Sequence, residues 1–206
     1  MSATPDWLRR VIAQLPDEQH CRALALQAQE AGNSGVEDGA TWPYLWPGGL
    51  RLAADLPQLL QEHPTPSSTL DLGCGRGLLG FAAMHWGLPR VTCVDGDAQA
   101  VAAVGQQARN LGLDQLQAQL HAWDGSAIPG GPFACILGGD VLYRPQFHRA
   151  LLRTVAAQLR RDGEAWLADP RQQLEPQLPI IAAELGLTWS HSLRPGPYSL
   201  CRLRWR

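Results

Sequence analysis

The run Asp71-Leu72-Gly73-Cys74-Gly75-Arg76-Gly77 has the residue types and spacing of a ligand-binding turn. Glycines at alternate positions let a backbone turn tightly and approach a ligand with no side chain in between. Where such a turn joins a strand to a helix, the first N–H groups of the helix point at the ligand. Asp95 stands about 20 residues on, where an acid ending the next strand binds ribose hydroxyls. Gly73, Gly75, Gly77 and Asp95 therefore predict a pocket for an adenosine-containing ligand, with Cys74 lining it and not acting as a nucleophile. A second group, Gly139-Asp140-Val141-Leu142-Tyr143, sets an acid and a tyrosine three apart. It falls after an apolar run that reads as a strand, at the end where open α/β sheets hold their ligands.

The elements that must position these residues follow from periodicity and breakers. Buried strands are predicted over 68–72, 90–95, 116–120, 133–137 and 164–168. Helices are predicted over 78–86, 98–111, 146–160 and 178–185. Strands alternating with helices imply a doubly wound, mostly parallel sheet covered on both faces. The ending differs: residues 188–193 and 199–205 flank Arg194-Pro195-Gly196-Pro197 and predict an antiparallel hairpin. In its last strand Cys201, Leu203 and Trp205 share one face and Arg202, Arg204 and Arg206 the other, the alternation of a half-exposed strand.

Before the sheet, helices are predicted over 7–15, 17–31 and 50–63. Gly32-Asn33-Ser34-Gly35 closes the second, and Pro64 and Pro66 stop the third. Residues 41–49 (TWPYLWPGG) read as a loop. The expected organisation is a helical extension over 1–64 packed on a core over 65–206.

Two nucleotide-type ligands suit the glycine turn. Gly75-Arg76-Gly77-Leu78-Leu79-Gly80 is formally a G-x-G-x-x-G, which alone is weak support for NAD. Asp71, at the strand's C-terminal end, would repel a dinucleotide pyrophosphate and attract the cationic amine of S-adenosylmethionine. The terminal hairpin also favours S-adenosylmethionine, since it completes a seven-stranded sheet.

DLGCGRG with VDGD downstream (Asp95, Gly96) resembles the first two motifs of class I, seven-β-strand S-adenosylmethionine-dependent methyltransferases. Asp140 and Tyr143 match the D-x-x-Y motif of the protein lysine methyltransferases of that fold. Trp123-Asp124 agrees with that group, and the Trp46-Pro47-Gly48-Gly49 segment, GDVLY and Asp169-Pro170-Arg171 together are most similar to the branch acting on the electron-transfer flavoprotein β subunit. The usual DPGR of that branch is DPR here, a departure that bears on substrate choice.

The resemblance implies that Trp46, Asp71, Gly73, Cys74, Gly75, Gly77, Asp95, Gly96, Trp123, Asp124 and Gly139 form the cofactor site. It also implies that Asp140 and Tyr143 hold the acceptor amine. Plainer roles compete: Trp46 and Trp123 as core aromatics, Asp140 as the cap of the following helix, and Tyr143 as packing. The implied activity is methylation of a protein lysine side chain. A small-molecule N- or O-methyltransferase and a non-enzymatic cofactor-binding scaffold are the alternatives.

Composition narrows the rest. The chain has 206 residues, 45% apolar and 17% charged, enough for one well-packed domain. Its net charge of −2 gives no field favouring nucleic acid or an anionic membrane. All 17 basic residues are arginine. The five cysteines (Cys21, Cys74, Cys93, Cys135, Cys201) form no CxxC pair, and the histidines have no metal spacing. No metal, no secretory signal and no spanning segment are expected, and the predicted location is the cytoplasm.

Overall fold

The computed structural model describes residues 4–30, 41–63 and 65–206. The predicted turn at Gly32-Asn33-Ser34-Gly35 and the stop at Pro64 lie outside the described residues. Three helices come first: α1 (Asp6–Gln14), α2 (Glu18–Glu30) and α3 (Pro47–Glu62). The alternating part follows as β1 (Thr69–Leu72), α4 (Leu78–His85), β2 (Val91–Asp95), α5 (Ala98–Asn110), β3 (Leu116–Leu120) and β4 (Phe133–Gly139). A 3-10 turn at Pro145–Phe147 leads into α6 (His148–Gln158), then β5 (Leu159–Asp169), α7 (Gln177–Glu184), β6 (Leu187–Arg194) and β7 (Tyr198–Trp205).

The seven strands form one sheet in the order β3-β2-β1-β4-β5-β7-β6. The first five are parallel, and β7 runs antiparallel to both β5 and β6. The α/β doubly wound sheet with an antiparallel terminal hairpin is thus the one expected. Chain order reverses between β1 and β4, and such a switch point is where open α/β sheets hold ligands, in the crevice outside the strands' carboxyl ends.

Two apolar clusters cover the two faces of the sheet. One joins Leu8 and Val11 of α1 and Leu52, Leu56 and Leu59 of α3 to Phe81, Cys93 and Trp166. The other packs Leu151, Leu152 and Val155 of α6 and Leu178 of α7 against Leu72, Ile136 and Leu167. All five cysteines are buried and free. No described helix is long and apolar enough to cross a membrane.

Several boundaries differ from expectation, three of them at the elements that frame the site or the sheet centre. Helix α3 begins at Pro47, so the expected WPGG loop is its first turn, with proline at a position that needs no N–H. β4 runs on to Gly139, which pairs with Ala168, and β5 starts at Leu159, directly from α6, where Leu159 pairs with Phe133 ahead of a register shift. The alternation expected for β7 holds only for its end. Tyr198 and Leu200 are also fully buried, and Tyr198 Oη donates to Asp55 Oδ2 of α3 at 2.7 Å. Two of the terminal arginines are paired, Arg202 with Glu62 at 3.1 Å and Arg204 with Glu164 at 3.0 Å.

Candidate functional site: the crevice between β1 and β4

The glycine turn is built as its composition demands. Gly73, Gly75 and Gly77 have φ of 73°, 52° and 83°, a region that costs side-chain-bearing residues about 1–2 kcal/mol each. Gly77 is the N-cap of α4, so the turn delivers the chain straight into that helix. Continuing the pairing of Leu72 with Val94 and of Asp71 with Leu137 sets Gly73 level with Asp95 and Gly139. The turn, the β2 acid and the end of β4 therefore meet at the crevice.

Asp95 is half-buried. Its Oδ2 accepts from Gly75 N at 2.9 Å and its Oδ1 from Asp97 N at 3.0 Å. Burial pushes its carboxyl up while those N–H groups pull it back. The Gly96 N–H also acts on it, and since a carboxylate has about four acceptor positions, capacity remains for a hydroxyl donor. Gly96 is exposed, and a Cβ there would meet nothing within 4 Å. This acceptor and the open turn fit the nucleoside of S-adenosylmethionine.

Asp71 is placed differently from the expectation of direct attraction to the ligand. It is 1% exposed, and its Oδ2 accepts from Gly80 N in the first turn of α4 at 2.8 Å. Burial pushes the carboxyl up to about 7, against the pull of Gly80 N–H. It lies sealed beneath the turn, so its charge can reach the crevice only through its field. Cys74 is buried and its thiol pushed up by Cys93 and by burial, which is inert chemistry.

The aromatic candidates divide. Trp123 stands against the turn: a Cβ on Gly73 would lie 3.3 Å from its ring. Trp46 is 47% exposed, edge-on to Tyr44, with its indole N–H donating to Thr41 O at 3.0 Å. The tryptophan against Gly75 is instead Trp42, whose carbonyl would be 3.1 Å from a Cβ there and whose buried indole N–H has no partner among the described residues. Asp124 is exposed and closes its own turn on Ser126 N at 2.8 Å.

At the β4 end, Gly139 is in backbone contact with α3, since a Cβ would lie 2.4 Å from Gly49 Cα. Asp140 sits in the left-handed region at φ 57° and is half-buried, with Oδ2 accepting from Gly49 N at 2.7 Å. It does cap a helix, but at the start of the preceding α3 and not of the following one. Burial pushes the Asp140 carboxyl up, and the N–H groups of Gly49 and Gly48 oppose this. Tyr143 is 48% exposed, with the Arg144 guanidinium 5.3 Å over its ring.

Sequence reasoning quoted two arginines inside its motifs but gave neither a role. Arg76, inside the turn, is 6% exposed and ties it to the α1–α2 junction through Pro16 O (3.0 and 2.7 Å) and Glu18 (3.0 Å). Arg171 grips Asp169 and the loop after β4. Their signals were present, an arginine between two glycines and another after Asp-Pro, but their partners are remote in sequence. No group of three or more His, Cys, Asp or Glu able to hold a metal occurs among the described residues.

Comparison with known proteins agrees with this geometry. A family model described as a methyltransferase domain matches residues 49–202. A ribosomal protein L11 methyltransferase of Shewanella denitrificans is 34% identical over 110 residues, 53% of this chain and 36% of the relative. One from Prochlorococcus marinus is 39% identical over 134 residues, 64% of this chain and 44% of the relative. The matches thus span less than half the length of either relative. The structure of a TehB-like SAM-dependent methyltransferase from Corynebacterium glutamicum superposes with TM-score 0.60 at 16% identity, covering 92% of this chain and all of that one. With three open glycine conformations beside a β2 acid at the switch point, the chain belongs to the methyltransferase domain family, of the S-adenosylmethionine-dependent class.

Proposed function

We propose that this protein is an S-adenosylmethionine-dependent protein lysine N-methyltransferase. One observation carries the reading. The glycine turn after β1 and the Asp140–Tyr143 loop after β4 flank the same crevice, one suited to the cofactor and the other to an amine. The likeness to ribosomal protein L11 methyltransferases supports a protein acceptor, and the D-x-x-Y and WPGG segments support the lysine. The finer resemblance to the electron-transfer flavoprotein β-subunit branch makes that subunit a specific acceptor to test.

When bound, the cofactor supplies an electrophilic methyl on a sulfonium. The chain must present a neutral amine to it. A free lysine at pKa about 10.4 costs about 4–5 kcal/mol to deprotonate at pH 7. Asp140, half-buried and anchored by Gly49, draws in and orients the ammonium. Desolvation of the acceptor and the neighbouring sulfonium then favour loss of its proton. Tyr143 accepts an amine N–H and aims the lone pair, so positioning supplies much of the rate.

Asp140→Asn is the discriminating variant, because its amide oxygen still accepts Gly49 N–H while the charge is gone. It is expected to keep cofactor affinity within about twofold and to lose turnover at least a hundredfold. The assay is transfer of label from tritiated S-adenosylmethionine into a cell extract, with mass spectrometry of labelled bands. Label in small molecules and not in protein overturns the lysine reading, as does near-native turnover by Asp140→Asn.

A further inference from the structure

We infer that Arg171, with His148, is a positioning residue that fixes the peptide plane before Tyr143, so that the acceptor loop is held ready before substrate arrives. The inference rests on the functional reading of Asp140 and Tyr143 given above and adds residues outside their motif.

The geometry converges on one atom, the carbonyl oxygen of Leu142. Arg171 Nη2 donates to it at 2.6 Å and His148 Nε2 approaches it at 2.8 Å. A carbonyl only accepts, so His148 Nε2 carries the proton in this contact. Both lone pairs of the oxygen are then used, and the plane joining Leu142 to Tyr143 is held from two directions.

Arg171 is itself held. Its Nε and Nη2 meet the two oxygens of Asp169 at 2.9 Å each, and its own N–H bonds Asp169 Oδ1 at 2.8 Å. Asp169 is 1% exposed at the end of β5, and the Arg171 carbonyl accepts from Ser199 Oγ of β7 at 2.8 Å. The fork is a planar, charge-assisted arrangement that only a guanidinium supplies.

The loop's other end is fastened to the same strand, where Asp140 N donates to Ala168 O at 2.8 Å while the residue takes its left-handed conformation. Residues 140–142 thus hang between two ties to the end of β5, and Tyr143 follows directly on the second tie. Tyr143 meanwhile stays exposed, at 48%. Displacing a reacting group by about 1 Å costs up to about 100-fold in rate, so the clamp bears directly on turnover.

Arg171→Met alone would leave Asp169 buried without its counter-charge, so the test uses Arg171→Lys and the double variant Asp169→Asn/Arg171→Met. Two measurements are made on the full chain. Hydrogen–deuterium exchange of peptides covering 140–147 is expected to rise at least tenfold, with the 71–80 peptides unchanged. Label transfer from tritiated S-adenosylmethionine to acceptor protein in the extract is expected to fall 10- to 100-fold in maximal rate, with cofactor affinity by calorimetry within twofold. Native exchange with native transfer in the double variant overturns the inference, as does loosening of 71–80 together with 140–147, which marks a general structural role. Asp140→Asn separates the two failures. If it transfers label at the native rate, the functional reading fails; if it is inactive while the double variant is native, only the clamp fails.

Discussion

Asp71 gives the sharpest quantitative test, because its burial makes the charge costly for folding, while a carboxylate beneath the turn would favour a cationic ligand. It is 1% exposed, with one hydrogen bond, from Gly80 N at 2.8 Å, and a Cys93 thiol 4.0 Å from the same oxygen. Burial lifts its carboxyl from 3.8 to about 7, and the charge of Asp95 adds to the rise. A carboxyl that holds its proton more tightly when folded contributes stability that is complete below pH 3.8 and is lost as pH rises towards 7. At 1.36 kcal/mol per pH unit the interval corresponds to about 4 kcal/mol.

Asp71→Asn cannot ionise, and its amide oxygen still receives Gly80 N–H. The variant is therefore expected to exceed the native chain in stability by up to about 4 kcal/mol at pH 8.5, the advantage vanishing near pH 4. Urea midpoints across that range measure it. The cofactor arm runs the other way: deprotonated Asp71 attracts the cationic nucleoside, so native affinity for S-adenosylmethionine rises from pH 6 to 8 and that of the variant does not. Calorimetry at the two pH values reads this difference. A stability difference that stays flat with pH would refute the reasoning, since ionisation of Asp71 would then not be coupled to folding.

Two further outcomes follow from the packing around the crevice. Arg76→Ala leaves the Pro16 carbonyl without the guanidinium that makes two contacts with it, and is expected to cost about 1–3 kcal/mol in urea unfolding. Arg76→Lys should recover less than half of this, because an ammonium has no fork; a loss below about 0.5 kcal/mol for the alanine variant counts against the tie. Gly139→Ala puts a methyl against Gly49 Cα and N, both backbone, and is expected to cost about 1–3 kcal/mol and to break the Asp140–Gly49 bond. Gly96→Ala, with nothing within 4 Å, is the control, expected within about 0.5 kcal/mol of native by thermal denaturation.

Much of this molecule was determined locally. The glycine turn announced itself because only glycine occupies φ of 52° to 83° freely, and Asp95 because an acid after a β-branched strand is visible in the residue order. The alternation of apolar strands with helices specified the parallel sheet, since a strand buried on both faces is a continuous apolar run. Boundaries and partners were another matter. That WPGG opens a helix depends on Gly48 and Gly49 meeting Asp140, 91 residues from Gly49. That Asp71 is sealed beneath the turn depends on α4 folding back over it. Leu142 O is met by His148 and Arg171 because the loops after β4 and β5 adjoin in the sheet. Periodicity and turn chemistry act over a few residues and are written in the order of the chain. Which carboxylate stays wet, and which arginine reaches which carbonyl, is set by contacts made only once the sheet closes in space.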